Sequence, residues 1–217
     1  QPAPGPTIAT ARAPRLWAQI ARWMTKQPSI LALSPSLVHW FWQSRAGLDR
    51  PDLQGVFSPA SYREGYVGML DTYPGMTCGV WQHRPKSCGT VQAQSTDPFA
   101  APVIRPNYLS DPDDRQVLVD GVRIARNLLR TNALSRFVET ESLPGVAVQR
   151  DDELLDFVRR FGVSSYHLNG TARMGPDVAR SVVDAGLRVH GLQGLRVIDA
   201  AAFPNLTAGN TNAPAML

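Results

Sequence analysis

Lysine and cysteine are scarce in this sequence of 217 residues, and long apolar runs are missing from it. Without a run of about 20 apolar residues, the sequence offers no candidate for a transmembrane helix. Its first residues, QPAPGPTIATARAPR, also lack the apolar core of a secretory signal peptide. The two cysteines, if reduced, fit a cytoplasmic enzyme, and a cytoplasmic location is what we predict.

The two cysteines, Cys78 and Cys88, are too few to form a metal cluster. A disulfide between them would require directly opposed positions on neighbouring strands. Reduced, buried thiols are the simpler interpretation, and they agree with the reducing cytoplasm. We therefore favour free thiols at both positions and predict no metal site.

The net charge is +4, and the basic residues are arginines except for Lys26 and Lys86. A nucleic-acid partner would be favoured by a basic stripe with aromatic residues between the charges. No basic run in this sequence exceeds the pair Arg159 and Arg160, and acidic residues lie among the arginines. Scattered charges of this kind are typical of a solvated surface, so we predict no nucleic-acid partner.

Hydrophobic residues make up 43% of the sequence and charged residues 18%, which is typical of a globular protein. The length suits one large domain or two small ones. The sequence starts without methionine and stops at NAPAML. We interpret it as a piece of a longer protein whose N-terminal part is not included.

Helical spacing predicts a helix over residues 14–24. An apolar stripe along this helix is more typical of a protein core than of a ligand site, so we expect the stripe to be buried. Its members are Leu16, Trp17, Ile20, Trp23 and Met24. Two further helices are predicted after Ser110 and Asp151 as caps, and Gly162 is predicted to end the second.

Two short strands are predicted at TCGVWQH and GTVQAQST, which lie on either side of RPKSCG. The connecting residues are rich in turn formers, and the segment therefore predicts a hairpin. The prolines at 98, 102 and 106 exclude a central strand from the residues that follow.

The segment from residue 166 to the end of the sequence contains the residues that point to chemistry. His167 precedes a Gly-Thr turn, and Asp199 ends the predicted strand LRVID before three alanines. Gly209 and Asn210 begin the loop GNTNAP. A neutral histidine is a common general base, and an amide can hold an alcohol oxygen beside it. A histidine in the core and an asparagine that stabilises a turn are the alternative interpretations.

Three motifs occur in order along the C-terminal part: YHLNGTARMG, then SVVDAGLRVHGLQGLRVIDAAAFP, then AGNTNAPAML. Together they resemble the C-terminal half of the glucose-methanol-choline (GMC) oxidoreductase family. Earlier segments agree with this resemblance, including PDLQGVFSP, RPKSCGTV and DPFAAPVIRPNYLSDPDD. The resemblance therefore extends over most of the sequence from residue 51 onwards.

The resemblance implies an FAD-dependent enzyme that oxidises the CH–OH group of an alcohol by proton abstraction and hydride transfer to flavin N5. In the pattern of this family, His167 matches the catalytic base, and Asn210 matches the second catalytic position, which hydrogen-bonds the reacting oxygen. The positions that match cofactor-binding residues are Asp199, Ala200, Thr211 and Asn212. The implied partners are a small-molecule alcohol and an electron acceptor such as O₂ or a quinone.

The resemblance also implies an α+β fold. Residues 1–165 are expected to form a substrate-binding domain with an antiparallel sheet and flanking helices. Residues 166–217 are expected to carry the active-site histidine motif and the C-terminal return segment of a Rossmann-like FAD-binding domain. We expect the N-terminal half of that domain to lie outside this sequence, because the sequence contains no G-x-G-x-x-G phosphate loop.

Two other functions are compatible with the same motifs. A hydroxynitrile lyase on this scaffold would keep the flavin and the histidine without net redox chemistry. A non-catalytic folding or binding module is the second alternative. Val56 stands where many family members carry histidine, which argues against choline as the substrate.

Overall fold

The computed structural model describes residues 11, 13–32, 36, 38–63 and 69–217. The parts of the predicted substrate domain at 1–10, 12, 33–35, 37 and 64–68 lie outside the described residues. Within the described residues the α-helices are α1 (Arg15–Met24), α2 (Pro112–Leu129), α3 (Asp151–Phe161) and α4 (Asn212–Met216). The strands are β1 (Val38–Trp42), β2 (Leu53–Ser58), β3 (Thr77–Gln82), β4 (Thr90–Gln92) and β5 (Val103–Arg105).

The strands form two small sheets rather than the predicted hairpin. One sheet has the order β1-β2-β3, and β4 pairs with β5 in the other. The two predicted strands correspond to β3 and β4, but these strands do not pair with each other, so the prediction of a hairpin was wrong. β1 and β2 are antiparallel, with Val38 opposite Phe57 and Trp42 opposite Leu53, and β4 and β5 are antiparallel as well. The expected mixture of helices with antiparallel sheets is thus confirmed.

The described residues divide into two compact units. The first unit takes its residues from Gln1–Trp42, Leu53–Trp81 and Gly121–Val163, and the second from Gln43–Asp52, Gln82–Asp120 and Ser164–Leu217. The first unit buries Leu53, Ala60, Val122, Ala125 and Leu154. The second buries Val117, Val119, Val183 and Ala202. The predicted division into 1–165 and 166–217 concerns the domains of a longer protein and stays a prediction.

In the first unit, α2 packs closely on the sheet at Gly121. A Cβ atom at this position would lie 3.1 Å from Val80 Cγ2 and 3.2 Å from Leu53 Cδ2. Such separations are shorter than ordinary van der Waals contact, so glycine allows the helix to approach the strands. One turn further along, Arg126 is only 7% exposed and donates to both carboxylate oxygens of Glu141. This ion pair connects the helix to the loop that follows it.

The helix ends differ in detail from the sequence prediction. The carboxylate of Asp111, not the hydroxyl of Ser110, accepts the N–H of Asp113 at 2.8 Å where α2 begins. Asp151 is the first residue of α3 instead of its cap, and Glu153 Oε2 accepts the N–H of Arg150 at 3.0 Å. Gly162 ends α3 as predicted, and its N–H donates to the carbonyl of Val158.

The apolar stripe of α1 is not buried, which corrects the prediction of a core helix. Trp17 is 69% exposed, Trp23 55% and Met24 74%. Helical spacing locates an apolar face, but it carries no information on what covers that face. Among the described helices, none is long and apolar enough to cross a membrane.

Both cysteines are free thiols, as favoured from the sequence. Cys78 is half-buried, whereas Cys88 is exposed, so the expectation of burial was wrong for Cys88. Burial raises the pKa of the Cys78 thiol above its usual value. The raised pKa keeps Cys78 protonated and chemically inert near neutral pH.

Gly55 in β2 lies directly beneath the indole of Trp40, its partner in β1. A Cβ atom on Gly55 would lie 2.1 Å from two carbon atoms of that ring. We expect Gly55→Ala to lower the free energy of unfolding by about 1–3 kcal/mol, the usual range for an overpacked site. Chemical denaturation of the variant and the parent protein measures this difference.

Gly79→Ala in β3 is the matched control, because a Cβ atom there meets its nearest neighbour, Val56 Cγ2, at 3.3 Å. Both substitutions add a methyl group within a strand, so the backbone effect is shared. An equal loss of stability in the two variants would show that the contact with Trp40 is not the cause.

Candidate active site

The chain reaches His167 through a backbone conformation that is rare for a large side chain. Tyr166 has a φ of +61°, and its side chain is 74% exposed. The N–H of Tyr166 donates to Ser164 Oγ at 3.0 Å, and the Tyr108 hydroxyl donates to the same oxygen at 3.2 Å. A left-handed conformation costs a residue other than glycine about 1–3 kcal/mol and is concentrated at functional sites. The strained residue directly before His167 therefore marks this segment as a candidate site.

His167 itself is half-buried, and contacts on two sides hold it. Its Nδ1 lies 3.1 Å from Thr211 Oγ1, a residue 44 positions further along the chain. The side-chain amide of Asn169 donates to the carbonyl of His167 at 3.2 Å. The ring and the backbone of the histidine are thus both restrained, and Nε2 is the ring nitrogen on the side away from Thr211.

The residues after His167 pair with the alanines that follow Asp199. The N–H groups of Gly170, Ala172 and Met174 donate to the carbonyls of Ala200, Ala201 and Ala202, at 3.2, 2.9 and 2.9 Å. These three hydrogen bonds bring the first and second sequence motifs side by side. The first and second motifs follow each other along the sequence, and within the second unit they are also joined by hydrogen bonds.

Asp199 does not end a regular strand, which corrects the sequence prediction. Among the described residues, 195–199 contribute a single bridge, between Arg196 and Arg188. Asp199 instead precedes the short 3₁₀ helix Ala200–Ala202, and its Oδ1 accepts the N–H of Ala201 at 2.7 Å. The side chain is exposed, and this hydrogen bond fixes the orientation of its carboxylate.

The amide loop returns the chain towards the histidine. Gly209 has a φ of +128°, and a Cβ atom there would meet no other atom within 4 Å. Asn210 and Asn212 are exposed, and Asn212 begins α4. Because Asn210 directly precedes Thr211, the hydrogen bond from Thr211 to the histidine also places Asn210 one residue from that contact.

The structure thus brings His167 and Thr211 into contact and pairs the histidine motif with Ala200. It shows no direct contact of Asn210, Asn212 or Asp199 with the imidazole among the described residues. The roles of these residues as catalytic or cofactor-binding groups stay predictions.

Ser164 and Tyr108 hold the residue before the histidine, and no sequence motif indicated this contact, because 56 positions separate the two. Asn169 had a recognisable signal, since asparagine often bonds to backbone groups two residues away.

A second histidine in the same unit has a different environment. His190 Nε2 lies 3.2 Å from Ser181 Oγ and 3.1 Å from the carbonyl of Gly175. The Ser181 hydroxyl also lies 2.6 Å from the carbonyl of Asp177. Since carbonyls only accept, Nε2 carries its proton towards Gly175, and no lone pair is directed at the serine. This pair is therefore structural and not a nucleophile with its base.

Within the described residues, no group of three or more His, Cys, Asp or Glu side chains could hold a metal ion. The candidate residues offer an imidazole, a hydroxyl, amides and the carboxylate of Asp199. Such groups transfer protons and orient oxygen atoms, whereas hydride transfer is the chemistry of a cofactor.

Comparison with known proteins gives a family match. Residues 85–217 match the family model described as GMC oxidoreductase. The match includes His167, Asp199 and the amide loop, and it covers more than half of the chain.

Two curated relatives have comparable similarity. The alcohol dehydrogenase [acceptor] of Pseudomonas putida is 36% identical over 210 residues, which are 97% of this chain and 38% of that protein. The oxygen-dependent choline dehydrogenase of Staphylococcus aureus is 38% identical over 82% of this chain and 31% of its own length. The chain thus spans between three and four tenths of the length of these relatives.

Two solved structures also resemble the chain over part of their own length. Pyridoxine 4-oxidase from Mesorbium loti superposes with a TM-score of 0.76 at 27% identity, over 85% of this chain and 36% of that one. An FAD-dependent oxidoreductase from Chaetomium thermophilum has a TM-score of 0.62 at 32% identity, over 65% of this chain and 24% of that one.

Proposed function

This chain belongs to the GMC oxidoreductase family, and from that premise we propose that it is part of an FAD-dependent enzyme that oxidises the CH–OH group of an alcohol. The observation that carries the proposal is the position of the His167 imidazole. Tyr166, directly before it, has a left-handed backbone conformation, and Thr211 hydrogen-bonds to the ring. The names of the two curated relatives, which are dehydrogenases of alcohols and of choline, support the class of substrate.

The residues present fit one side of a flavin. Ala200 and Ala201 are half-buried and have the shortest chiral side chains, so a large ring system or its ribityl chain can approach their backbone, whereas Ala202 is buried. The space around Gly209 is open, and the exposed amides of Asn210 and Asn212 offer both donors and acceptors. We propose Asp199, Ala200, Thr211 and Asn212 as the residues that would hold FAD.

When bound, FAD would supply the redox chemistry as the acceptor of the hydride from the alcohol carbon. His167 would take the hydroxyl proton of the alcohol, and the resulting negative charge on oxygen favours loss of the hydride from carbon. Asn210 would hold the same oxygen through its amide N–H and so fix the distance between the alcohol and the base. The half-buried position of His167 excludes part of the water that would otherwise compete for its lone pair.

We further propose that this chain provides the substrate-binding part of a longer flavoprotein, with the end of a Rossmann-like FAD domain. Its share of about four tenths of the Pseudomonas relative supports this proposal. The sequence lacks the Gly-rich loop that binds a dinucleotide pyrophosphate, so the remaining contacts to FAD would come from other residues of the intact protein. The cytoplasmic location stays a prediction.

Anaerobic mixing of the flavin-loaded intact protein with primary alcohols tests the proposal. We expect the yellow flavin absorbance to bleach with at least one alcohol, because hydride transfer reduces the ring. A flavin that stays oxidised with every alcohol, while the protein releases cyanide from a cyanohydrin, would favour the hydroxynitrile lyase alternative. No reaction in either assay would support the non-catalytic alternative.

The electron acceptor is tested on the reduced protein. Rapid reoxidation by O₂ with formation of hydrogen peroxide would identify an oxidase. Reoxidation only after a quinone is added would identify a dehydrogenase.

A further inference from the structure

We propose that Thr211 is a positioning residue that sets which nitrogen of His167 carries the proton. In this arrangement the Nδ1–H of His167 donates to Thr211 Oγ1, and Nε2 keeps the lone pair that accepts the proton of the alcohol. The inference rests on the proposed function, because it concerns the same histidine. It gives Thr211 a role towards the base that is separate from contact with FAD.

The proposal follows from the two states of a neutral imidazole. One ring nitrogen carries a proton and donates, while the other has a lone pair and accepts. Nδ1 lies 3.1 Å from Thr211 Oγ1, a normal hydrogen-bond distance. If the Thr211 hydroxyl donated to Nδ1, the proton would lie on Nε2, and the nitrogen on the other side could not act as a base. A basic Nε2 therefore requires Thr211 to accept.

The Thr211 hydroxyl is available for this contact because it is not used to cap a helix. Thr211 stands at the N-cap of α4, where a threonine side chain often accepts a backbone N–H. Here the side chain makes no capping hydrogen bond, and the carbonyl of Thr211 accepts the N–H of Ala215 instead. The hydroxyl oxygen is directed at the histidine.

The remaining contacts of the segment fix the position of the histidine but not its proton. Asn169 holds the carbonyl of His167, and Ser164 holds the N–H of Tyr166. Both act on the backbone. Among the described residues, Thr211 is the side chain that bonds to the ring, so the choice between the two protonation states depends on it.

Thr211→Val in the flavin-loaded intact protein removes the hydroxyl and keeps the shape of the side chain. We expect flavin reduction at saturating alcohol to slow by roughly 10–100-fold, by analogy with the partners that orient metal-bound histidines. Because Thr211 is also one of the residues proposed to hold FAD, the rates are compared per bound flavin, and the KM is expected to change by no more than a few-fold. Thr211→Ser, which keeps the hydroxyl, is expected to restore most of the rate.

Nitrogen NMR of protein labelled with ¹⁵N-histidine provides a measurement that does not depend on turnover. His167 is assigned by comparison with a variant that lacks it. We expect the proton on Nδ1 in the parent protein and in Thr211→Ser, and an increased share of protonated Nε2 in Thr211→Val.

Thr207→Val is the matched control, since it also removes a hydroxyl from this loop. The Thr207 hydroxyl donates to the carbonyl of Gly209 and does not contact the histidine. Equal slowing in Thr207→Val and Thr211→Val would attribute the effect to the loop and overturn the inference. A parent protein with the proton on Nε2, or a Thr211→Ser variant as slow as Thr211→Val, would overturn it as well.

These outcomes are distinct from failure of the proposed function. If the protein reduces its flavin with an alcohol and loss of His167 slows this reaction, but Thr211→Val does not, only the role of Thr211 is rejected. If loss of His167 has no effect, the base itself is wrongly assigned.

Discussion

Replacing His167 with alanine in the flavin-loaded intact protein is expected to slow flavin reduction by alcohol roughly 10²–10⁴-fold, the usual contribution of a general base. Without the imidazole, the alcohol keeps its proton while the hydride leaves, and the developing positive charge on carbon is not compensated. The bound flavin is expected to remain, because the imidazole of His167 is proposed to act on the substrate. Stopped-flow absorbance under anaerobic conditions measures the rate.

His190→Gln is the matched control for this substitution. His190 is half-buried in the same unit, but its Nε2 is directed at the carbonyl of Gly175 and at Ser181. Glutamine can also donate a hydrogen bond to a carbonyl, so the fold should be kept and the rate should change by no more than a few-fold. A rate in His167→Ala equal to that of the parent protein would mean that the histidine is structural.

Replacing Asp114 with alanine is expected to have the largest effect on stability. Asp114 is 2% exposed and lies in the first turn of α2. Its Oδ1 accepts from the Gln82 amide and the Lys86 N–H, both at 2.9 Å. Its Oδ2 accepts from the N–H of Ser87 at 2.8 Å and from the hydroxyl of the same residue. One carboxylate thus organises the turn RPKSCG against the helix.

In Asp114→Ala these donors lose their acceptor where little water can replace it. A buried donor without a partner costs about 1–3 kcal/mol, so we expect a total loss of about 3–5 kcal/mol in the free energy of unfolding. Asp113→Ala is the control, because the neighbouring carboxylate is exposed and pairs with Lys86 at the surface. Exposed ion pairs contribute little, and a comparable loss in both variants would show that burial of Asp114 is not decisive.

The same carboxylate predicts how stability depends on pH. Burial alone would raise the pKa of Asp114, but the hydrogen bonds from Ser87, Lys86 and Gln82 outweigh it and hold the pKa below its usual value. A carboxyl whose pKa is lower in the folded state stabilises the fold above its unfolded pKa, and this contribution is lost as the pH falls through the folded value. The parent protein should therefore lose stability below about pH 4, near the unfolded pKa of aspartate.

Asp114→Ala should show a shallower decrease over the same acidic range, since the group that titrates has been removed. Denaturation midpoints of both proteins, measured from neutral pH down to the acid limit of the fold, provide the comparison. Parallel curves would contradict the assignment of this pH dependence to Asp114.

The helices were the most predictable part of the fold. Helical spacing located α1 and α3 closely, because the period of 3.6 residues is a local property of the chain. The stripe of α1 shows the limit of this approach, since Trp17 and Trp23 lie on the predicted face and are nevertheless exposed. β3 and β4 were located as strands, yet their partners were not, because the pairing of a strand is not limited to segments that are near it in sequence.

The candidate site was predictable as a set of residues but not as a geometry. The sequence by itself determined the family, through three motifs in a fixed order, and with it the choice of His167, Asn210 and the alanine turn. The tertiary structure decided that Thr211 bonds to the imidazole, that Asp199 caps a 3₁₀ helix, and that Asp114 is the buried anchor of a turn. Motif order and helical period are recorded along the chain, whereas a hydrogen bond across 44 positions exists only after the chain has folded.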